Sequence, residues 1–331
     1  MKIVVLKKKN IQDIFSMKDA INASKDALSL YSKGDADIPL RVNISVDKDS
    51  ESIYMPGYVP GAEALGIKLV STYPKNIEIG LDTISSMMIL KNHKTGEISS
   101  ILDGNYLTKL RTGAVAGAAT DVLARKDAKI FTLIGTGGQA REQLEAVLNV
   151  RDIEEARIVG RDEEKAEEFV DDMLKDFSKS FRCKITMVED ANEAVRDSDI
   201  ITAVTTSKEP VFDGKLIKEG THINGIGSFM PDMQEVDFHV LNNSDKIYLD
   251  TRDGVLNESG DFIIPIERDK FSKGDIDGEL GELLLDKIPG RENDNEITFF
   301  NSVGSGVLDL VTAERIYEKA IEKEIGDIIE F

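Results

Sequence analysis

Apolar residues follow two different rhythms along the chain, and the change falls near residue 112. Residues 2–6 read as a short strand, and Ser16-Met17-Lys18-Asp19 has the form of a capping box that opens a helix through about Tyr31, closed by Gly34. From Pro39 to about Ile101 the apolar positions alternate in short runs, at 41–46, 53–58, 65–73 and 83–90, parted by turn-rich stretches. That pattern predicts a mostly β layer carrying one helix. Residues 112–123 are small and helix-compatible, which suits a helix packed closely on its neighbours. Beyond them short apolar strands (129–135, 156–160, 185–188, 200–205, 221–226, 246–250) alternate with amphipathic helices, one reaching about Asn149 and one over 163–175. This alternation predicts βαβ units on a parallel sheet. A strand-like run at 297–300 follows Pro289 and Gly290, and a last helix over about 306–323 can return to the first domain.

With 331 residues the chain is long for one hydrophobic core and comfortable for two domains. No run of 18 apolar residues is present to span a bilayer, and the run at 3–6 is followed at once by Lys7-Lys8-Lys9, the wrong order for a signal peptide. A cytoplasmic protein with no membrane partner is expected. The single cysteine, Cys183, has no internal disulfide partner, and no Cys/His pair has zinc spacing, so neither a disulfide nor a metal site is expected. A formal charge of −20 argues against nucleic acid as a partner.

The strongest local signal is Ile134-Gly135-Thr136-Gly137-Gly138-Gln139-Ala140, directly after an apolar strand and before a helix. Gly135 permits a tight turn, Gly137 lets the backbone approach a pyrophosphate, and Ala140 is small enough for helix and strand to pack closely. The helix N-terminus supplies unpaired N–H groups. The second strand of such a unit usually ends in an acidic residue that accepts from the ribose; here Gly160 stands there and Arg161 follows, a side chain suited to a 2′-phosphate. NADP(H) is therefore favoured over NAD(H), with Asp162 as the ribose acceptor in the opposing reading.

In the first half, Pro39-Leu40-Arg41, Met55-Pro56-Gly57, Gly66-Ile67-Lys68, Tyr73-Pro74-Lys75-Asn76 and Arg111-Thr112-Gly113-Ala114 place cations beside strand ends and turns. Together with the glycine turn, with Gly220–Ser228, Pro231, Glu235, Gly278-Glu279-Leu280-Gly281, Pro289-Gly290-Arg291 and Phe300–Gly304 with Asp309, this set resembles the ornithine cyclodeaminase and mu-crystallin family over nearly the whole chain. The resemblance implies an α/β protein in which a Rossmann-type doubly wound parallel sheet (113–305) is inserted into a smaller α+β substrate-binding and dimerisation domain (1–112 plus 306–331), and a homodimer. It implies that Arg41 and Arg111 clamp a substrate carboxylate, that Lys68 lies near the reacting carbon and nitrogen, and that Met55 and Ser228 contact the substrate. Thr112, Gly135, Thr136, Gly137, Gly138, Gln139, Ala140, Arg161, Ala203, Val204, Thr205 and Gly227 are implied to bind the cofactor.

Cyclodeaminases of that family carry an aspartate in the loop after the fifth Rossmann strand, where this chain has Phe229, with Asp232 three residues on. A phenyl ring cannot pair with an ammonium group or take its proton. The reading is therefore a nicotinamide-dependent oxidoreductase acting on the C=N or CH–NH bond of a small amino or imino acid, of ketimine reductase or amino-acid dehydrogenase type. The alternatives are an ornithine cyclodeaminase using catalytic NAD+ and a non-catalytic NADPH-dependent ligand-binding protein. Of the three histidines, His93, His222 and His239, none is assigned a role in the chemistry; His222 starts a strand and reads as core or cofactor-lining.

Overall fold

The computed structural model describes residues 1–331, which divide into two compact units, residues 1–111 with 305–331 and residues 112–304. The first contains β1 (Lys2–Leu6), α1 (Lys8–Ile14), α2 (Met17–Ser32), β2 (Val42–Ser45), β3 (Glu51–Val59), β4 (Ala64–Thr72), β5 (Ile84–Lys91), β6 (Ile98–Asp103) and the first part of α3 (Gly104–Leu123). α2 opens on the expected capping box: the Asp19 N–H donates to Ser16 Oγ at 3.2 Å and the Ser16 N–H to Asp19 Oδ2 at 2.9 Å. α1 and β6 add to the elements that the sequence pattern predicts. α1 buries only Ile11 and Ile14 behind a lysine run, and β6 passes into α3 without an intervening turn.

The second unit holds β7 (Ile130–Ile134), α4 (Ala140–Val150), β8 (Glu155–Val159), α5 (Glu163–Phe177), β9 (Lys184–Met187), α6 (Ala191–Val195), β10 (Ile200–Ala203), β11 (His222–Gly225), α7 (Phe238–Asn243), β12 (Lys246–Leu249), α8 (Arg252–Glu258), α9 (Gly260–Glu267), β13 (Gly278–Glu279), α10 (Leu280–Leu284) and β14 (Thr298–Asn301). Its eight strands pair in the order β13-β12-β14-β11-β10-β7-β8-β9, all parallel. Because strand order reverses between β7 and β10, the crevice at their carboxyl ends is where a doubly wound sheet binds its ligand. Strands buried on both faces read as apolar runs, and Phe131, Leu133, Ile201, Ile223 and Phe299 are fully buried.

The first unit is completed by α11 (Gly306–Glu322) and β15 (Asp327–Glu330). Its seven-stranded sheet runs β15-β1-β6-β5-β4-β3-β2. β1 and β6 pair in parallel and every other pair is antiparallel. Gly57 and Gly66 face each other across β3 and β4, and they make a flat spot under α11. A Cβ on Gly57 would lie 2.7 Å from Leu310 Cδ1. α11 therefore sits close on the sheet at Leu310, which brings its neighbour Asp309 within reach of β4.

Two sequence expectations are corrected here. Arg111 does not stand beside a turn: the helix begins at Gly104, so Arg111 lies inside α3, and Gly113 is a helical residue whose absent side chain lets the Glu142 carbonyl approach. Lys68 lies in the middle of β4 rather than at a strand end. No helix is long and apolar enough to cross a membrane.

Candidate active site

β4 points a lysine into the protein. Lys68 is 2% exposed, and its Nζ lies 2.5 Å from Asp309 Oδ2. The other oxygen of that carboxylate, Oδ1, accepts from Arg111 Nε at 2.9 Å. Asp309 is 1% and Arg111 7% exposed, so two buried cations share one carboxylate and one positive charge is left over. Burying an unbalanced charge is costly unless it is paired; an incoming anion would balance the cluster. Only Nε of Arg111 is used by Asp309, and the guanidinium fork carries further donors that suit a carboxylate.

The same crowding tunes Lys68. Burial holds its ammonium down to about 8, Arg111 and Arg41 push the same way, and Asp309 opposes them. Burial pushes Asp309 up, but Arg111 and Lys68 outweigh it and hold the carboxyl below its ordinary value. Arg41 lies just before β2, partly exposed, and its charge reaches the Lys68 ammonium. Met55 is directly opposite Lys68 in the β3–β4 register, which puts both side chains on one face. The role of Asp309 is not read from the sequence. A single acid among the apolar and small residues Gly306-Val307-Leu308-Asp309-Leu310-Val311 is the available signal, because an isolated buried charge is rare without a partner.

In the second unit, β7 runs into the glycine turn. Gly135 has φ +112° and its Cβ position lies 2.5 Å from the Val204 carbonyl, so no other residue fits. At Gly137 nothing stands within 4 Å of a Cβ position, which leaves the main chain open to a phosphate. Thr136, Gly138 and Gln139 complete the turn, and Ala140, fully buried, is the first residue of α4. The first N–H groups of that helix have no partner within it. The turn therefore fits the pyrophosphate of a dinucleotide.

At the end of β8, a side chain on Gly160 would meet Thr136 Oγ1 at 3.1 Å and Ala166 Cβ at 2.9 Å. An acidic ribose acceptor has no room there. Arg161 is exposed, and Asp162 caps α5 by accepting from the Lys165 N–H at 3.2 Å. Ala203 ends β10, Val204 donates to Ile134 O at 2.9 Å, and the N–H groups of Thr205 and Gly227 both reach the Glu235 carboxylate. Thr112 presents its carbonyl to Gln143 Nε2 at 3.1 Å.

Ser228 is engaged within its own loop. It is fully buried, its Oγ donates to Met233 O at 2.8 Å and accepts from the Asp261 N–H at 3.4 Å, so it closes its own loop. Phe229 and Met230 are exposed at the tip of that loop, and Asp232 is paired with Lys208 at 2.6 Å. His222 is a core residue. It lies between Thr298 Oγ1 (2.9 Å) and Asn224 Oδ1 (3.1 Å), and burial pushes its imidazole down to about 3, so it stays neutral.

A parallel sheet with this order, a glycine turn leading into a helix at its switch point, and a buried cation cluster on a separate sheet define a two-unit protein that binds a dinucleotide and an acid. The model of the ornithine cyclodeaminase/mu-crystallin family matches residues 1–324, and the chain belongs to that family. It is 39% identical over 330 residues to a Δ1-pyrroline-2-carboxylate reductase of Bacillus cereus, covering 99% of this chain and 100% of the relative. Among solved structures it is similar to Thermococcus litoralis Δ1-pyrroline-2-carboxylate reductase in complex with NADH and L-proline, with 41% identity, TM-score 0.92 and coverage of 98% and 99%. It is also similar to an archaeal alanine dehydrogenase dimer with bound NAD, with 33% identity, TM-score 0.91 and full coverage of both chains.

Proposed function

We propose that this protein, a nicotinamide-dependent oxidoreductase acting on imino acids, reduces the C=N bond of a cyclic 2-imino acid of the Δ1-pyrroline-2-carboxylate type to a cyclic amino acid such as proline. The observation that carries this is the buried Lys68–Asp309–Arg111 cluster, which has one positive charge in excess and a lysine that can lose its proton near neutral pH. The relatives that match the chain over its whole length support the same substrate class.

The substrate carboxylate takes the free donors of Arg111 together with Arg41 and balances the cluster. A nicotinamide held at the 135–140 turn would supply the hydride that reduces the C=N bond. Lys68 donates a proton to the imine nitrogen, so that C=N becomes CH–NH. Asp309 holds the Lys68 ammonium and the Arg111 fork in place, and Met55 lies on the Lys68 face beside the substrate. Fixing the imine acid against Lys68 removes part of the entropic barrier to the proton transfer.

Loss of reduced-nicotinamide absorbance with Δ1-pyrroline-2-carboxylate, compared with pyruvate plus ammonia, tests the reading; tight cofactor binding with no turnover of either would make the protein a ligand-binding module instead. Cyclodeamination of ornithine is disfavoured, because Phe229 offers no carboxylate and Asp232 is engaged by Lys208. For the cofactor, Gly160 and Arg161 favour NADP(H), whereas the solved neighbours hold NADH and NAD. Arg161→Asp lowers the NADPH to NADH ratio of kcat/KM about tenfold or more, as expected for one charge-assisted hydrogen bond. An unchanged ratio removes Arg161 from cofactor selection.

The first unit also exposes Val42 and Ile44 on its edge strand β2, Ile77 and Ile79 in the connection between β4 and β5, and Ile84 at the start of β5. A second copy of the chain covers this surface in the proposed homodimer. Light scattering then gives a mass near twice 36.5 kDa, and the double variant Ile44→Lys/Ile79→Asp gives the monomer; a double variant that still elutes as a dimer places the interface elsewhere.

A further inference from the structure

We propose that Glu235 is a positioning residue for the nicotinamide end of the cofactor, through a carboxylate clamp that joins the two strand ends on which that end rests. The inference depends on the dinucleotide reading of the second unit. β10 and β11 pair in parallel up to Ala203 and Gly225, and the ladder ends one step later with the Ile226 N–H on Ala203 O at 2.9 Å. Beyond that point both chains leave the sheet, and their next N–H groups, on Thr205 and Gly227, lose ladder partners. Glu235 takes both. Thr205 N–H donates to Oε1, and Gly227 N–H donates to Oε2 at 2.5 Å.

The clamp is held from behind. Glu235 is fully buried, and its own N–H donates to Asp261 Oδ1 at 2.7 Å, as does the Val236 N–H at 3.1 Å. Asn301 Nδ2, at the end of β14, donates to Asp261 Oδ2 at 3.3 Å. The Glu235 carbonyl accepts from the Val211 N–H at 2.9 Å. A Cβ on Gly227 would collide with the Thr205 backbone, so the two crests are in main-chain contact. Val204, next to this contact, touches the Gly135 turn. One carboxylate thus ties together the ends of β10 and β11, immediately beside the phosphate turn that follows β7.

The arrangement needs an acceptor at both oxygens: burial and the Asp261 charge push the Glu235 carboxyl up, while the N–H groups of Thr205 and Gly227 favour the ionised form that accepts at both. A glutamine has one acceptor and one NH2 donor, so Glu235→Gln turns a donor against one of the two N–H groups and moves that crest. The adenosine and pyrophosphate end of the cofactor, assigned to residues 160–161 and 135–140, is left alone.

Glu235→Gln is therefore expected to bind ADP-ribose within about twofold of the wild-type affinity while losing about tenfold in NADH affinity. Its kcat is expected to fall about 10²-fold with substrate KM little changed, as for a misplacement near 1 Å. Equal losses for NADH and ADP-ribose, or no loss for either, overturn the proposal. If the variant does not fold, hydrogen exchange on the wild-type protein decides. Thr205 and Gly227 amides should exchange slowly without cofactor, and NADH should protect residues 203–205 and 226–228 beyond what ADP-ribose does. Fast exchange at those amides, or equal protection by both ligands, rejects the clamp. A wild-type protein that binds neither ligand instead rejects the dinucleotide reading, and slow exchange of the two amides then still reports on the clamp itself.

Discussion

Lys68→Ala is expected to lower kcat/KM for imine reduction by about 10²–10⁴-fold, the usual contribution of a positioned proton donor, while NADH affinity stays at the wild-type value. Burial with the Arg111 and Arg41 charges brings the Lys68 ammonium down to about 8, and this fixes the sign of the pH dependence. Reduction uses the protonated amine, so kcat/KM in that direction falls as pH rises through about 8. Oxidation of the amino acid uses the free amine and rises through the same point. In Lys68→Ala both limbs disappear. Full turnover in the variant, or the same alkaline limb, would show that the proton comes from another group.

The second large effect is on stability. Asp309→Ala leaves Lys68 and Arg111 buried with no counter-charge, and breaking a buried pair from one side costs about 3–5 kcal/mol. For a unit of this size that lowers Tm by roughly 10 °C or more, which calorimetry can assign to the first unit by comparison with ADP-ribose stabilisation of the second. The milder Asp309→Asn separates positioning from folding. Asp309 is the group that raises Lys68, so the alkaline limb of reduction moves to a pH below 8 when that charge is removed. A thermal midpoint within a degree or two of wild type, together with an unmoved limb, would mean that Asp309 neither balances nor orients the two cations.

The second unit is the more legible part of the chain. Strands such as β7 and β10 are apolar but for one buried threonine each because both faces are covered, and the glycine turn follows directly on the first of them, so rhythm and motif agree. In the first unit β2 to β5 can be read from alternation, but α1 and β15 carry too few buried residues to leave a pattern: β15 is exposed along its length. Lys68 and Arg111 stand out as cations in a resembling set of motifs. What the sequence does not carry is the carboxylate between them, since Asp309 lies 241 and 198 residues away from its partners, and no local signal connects positions so far apart. Glu235 is visible only as one residue of a motif; its reach to two strand ends depends on where β10 and β11 stop, which periodicity does not give to the residue. The partner of Ser228 is likewise set by the fold, its hydroxyl donating to Met233 O within a loop that the sequence shows only as a run beside a glycine turn.

The order of assembly follows from where the final helix sits in the chain. The sheet of the first unit is complete but for one strand by residue 103, yet its charge cluster lacks a member until α11 has been made. On the ribosome some two hundred residues must emerge, with the second unit free to fold as they do, before Asp309 can close on Lys68 and Arg111. A nascent chain therefore carries two mutually repelling cations, one on β4 and one on α3, beside a sheet that lacks only its last strand, and competence for chemistry arrives in one late step rather than by degrees.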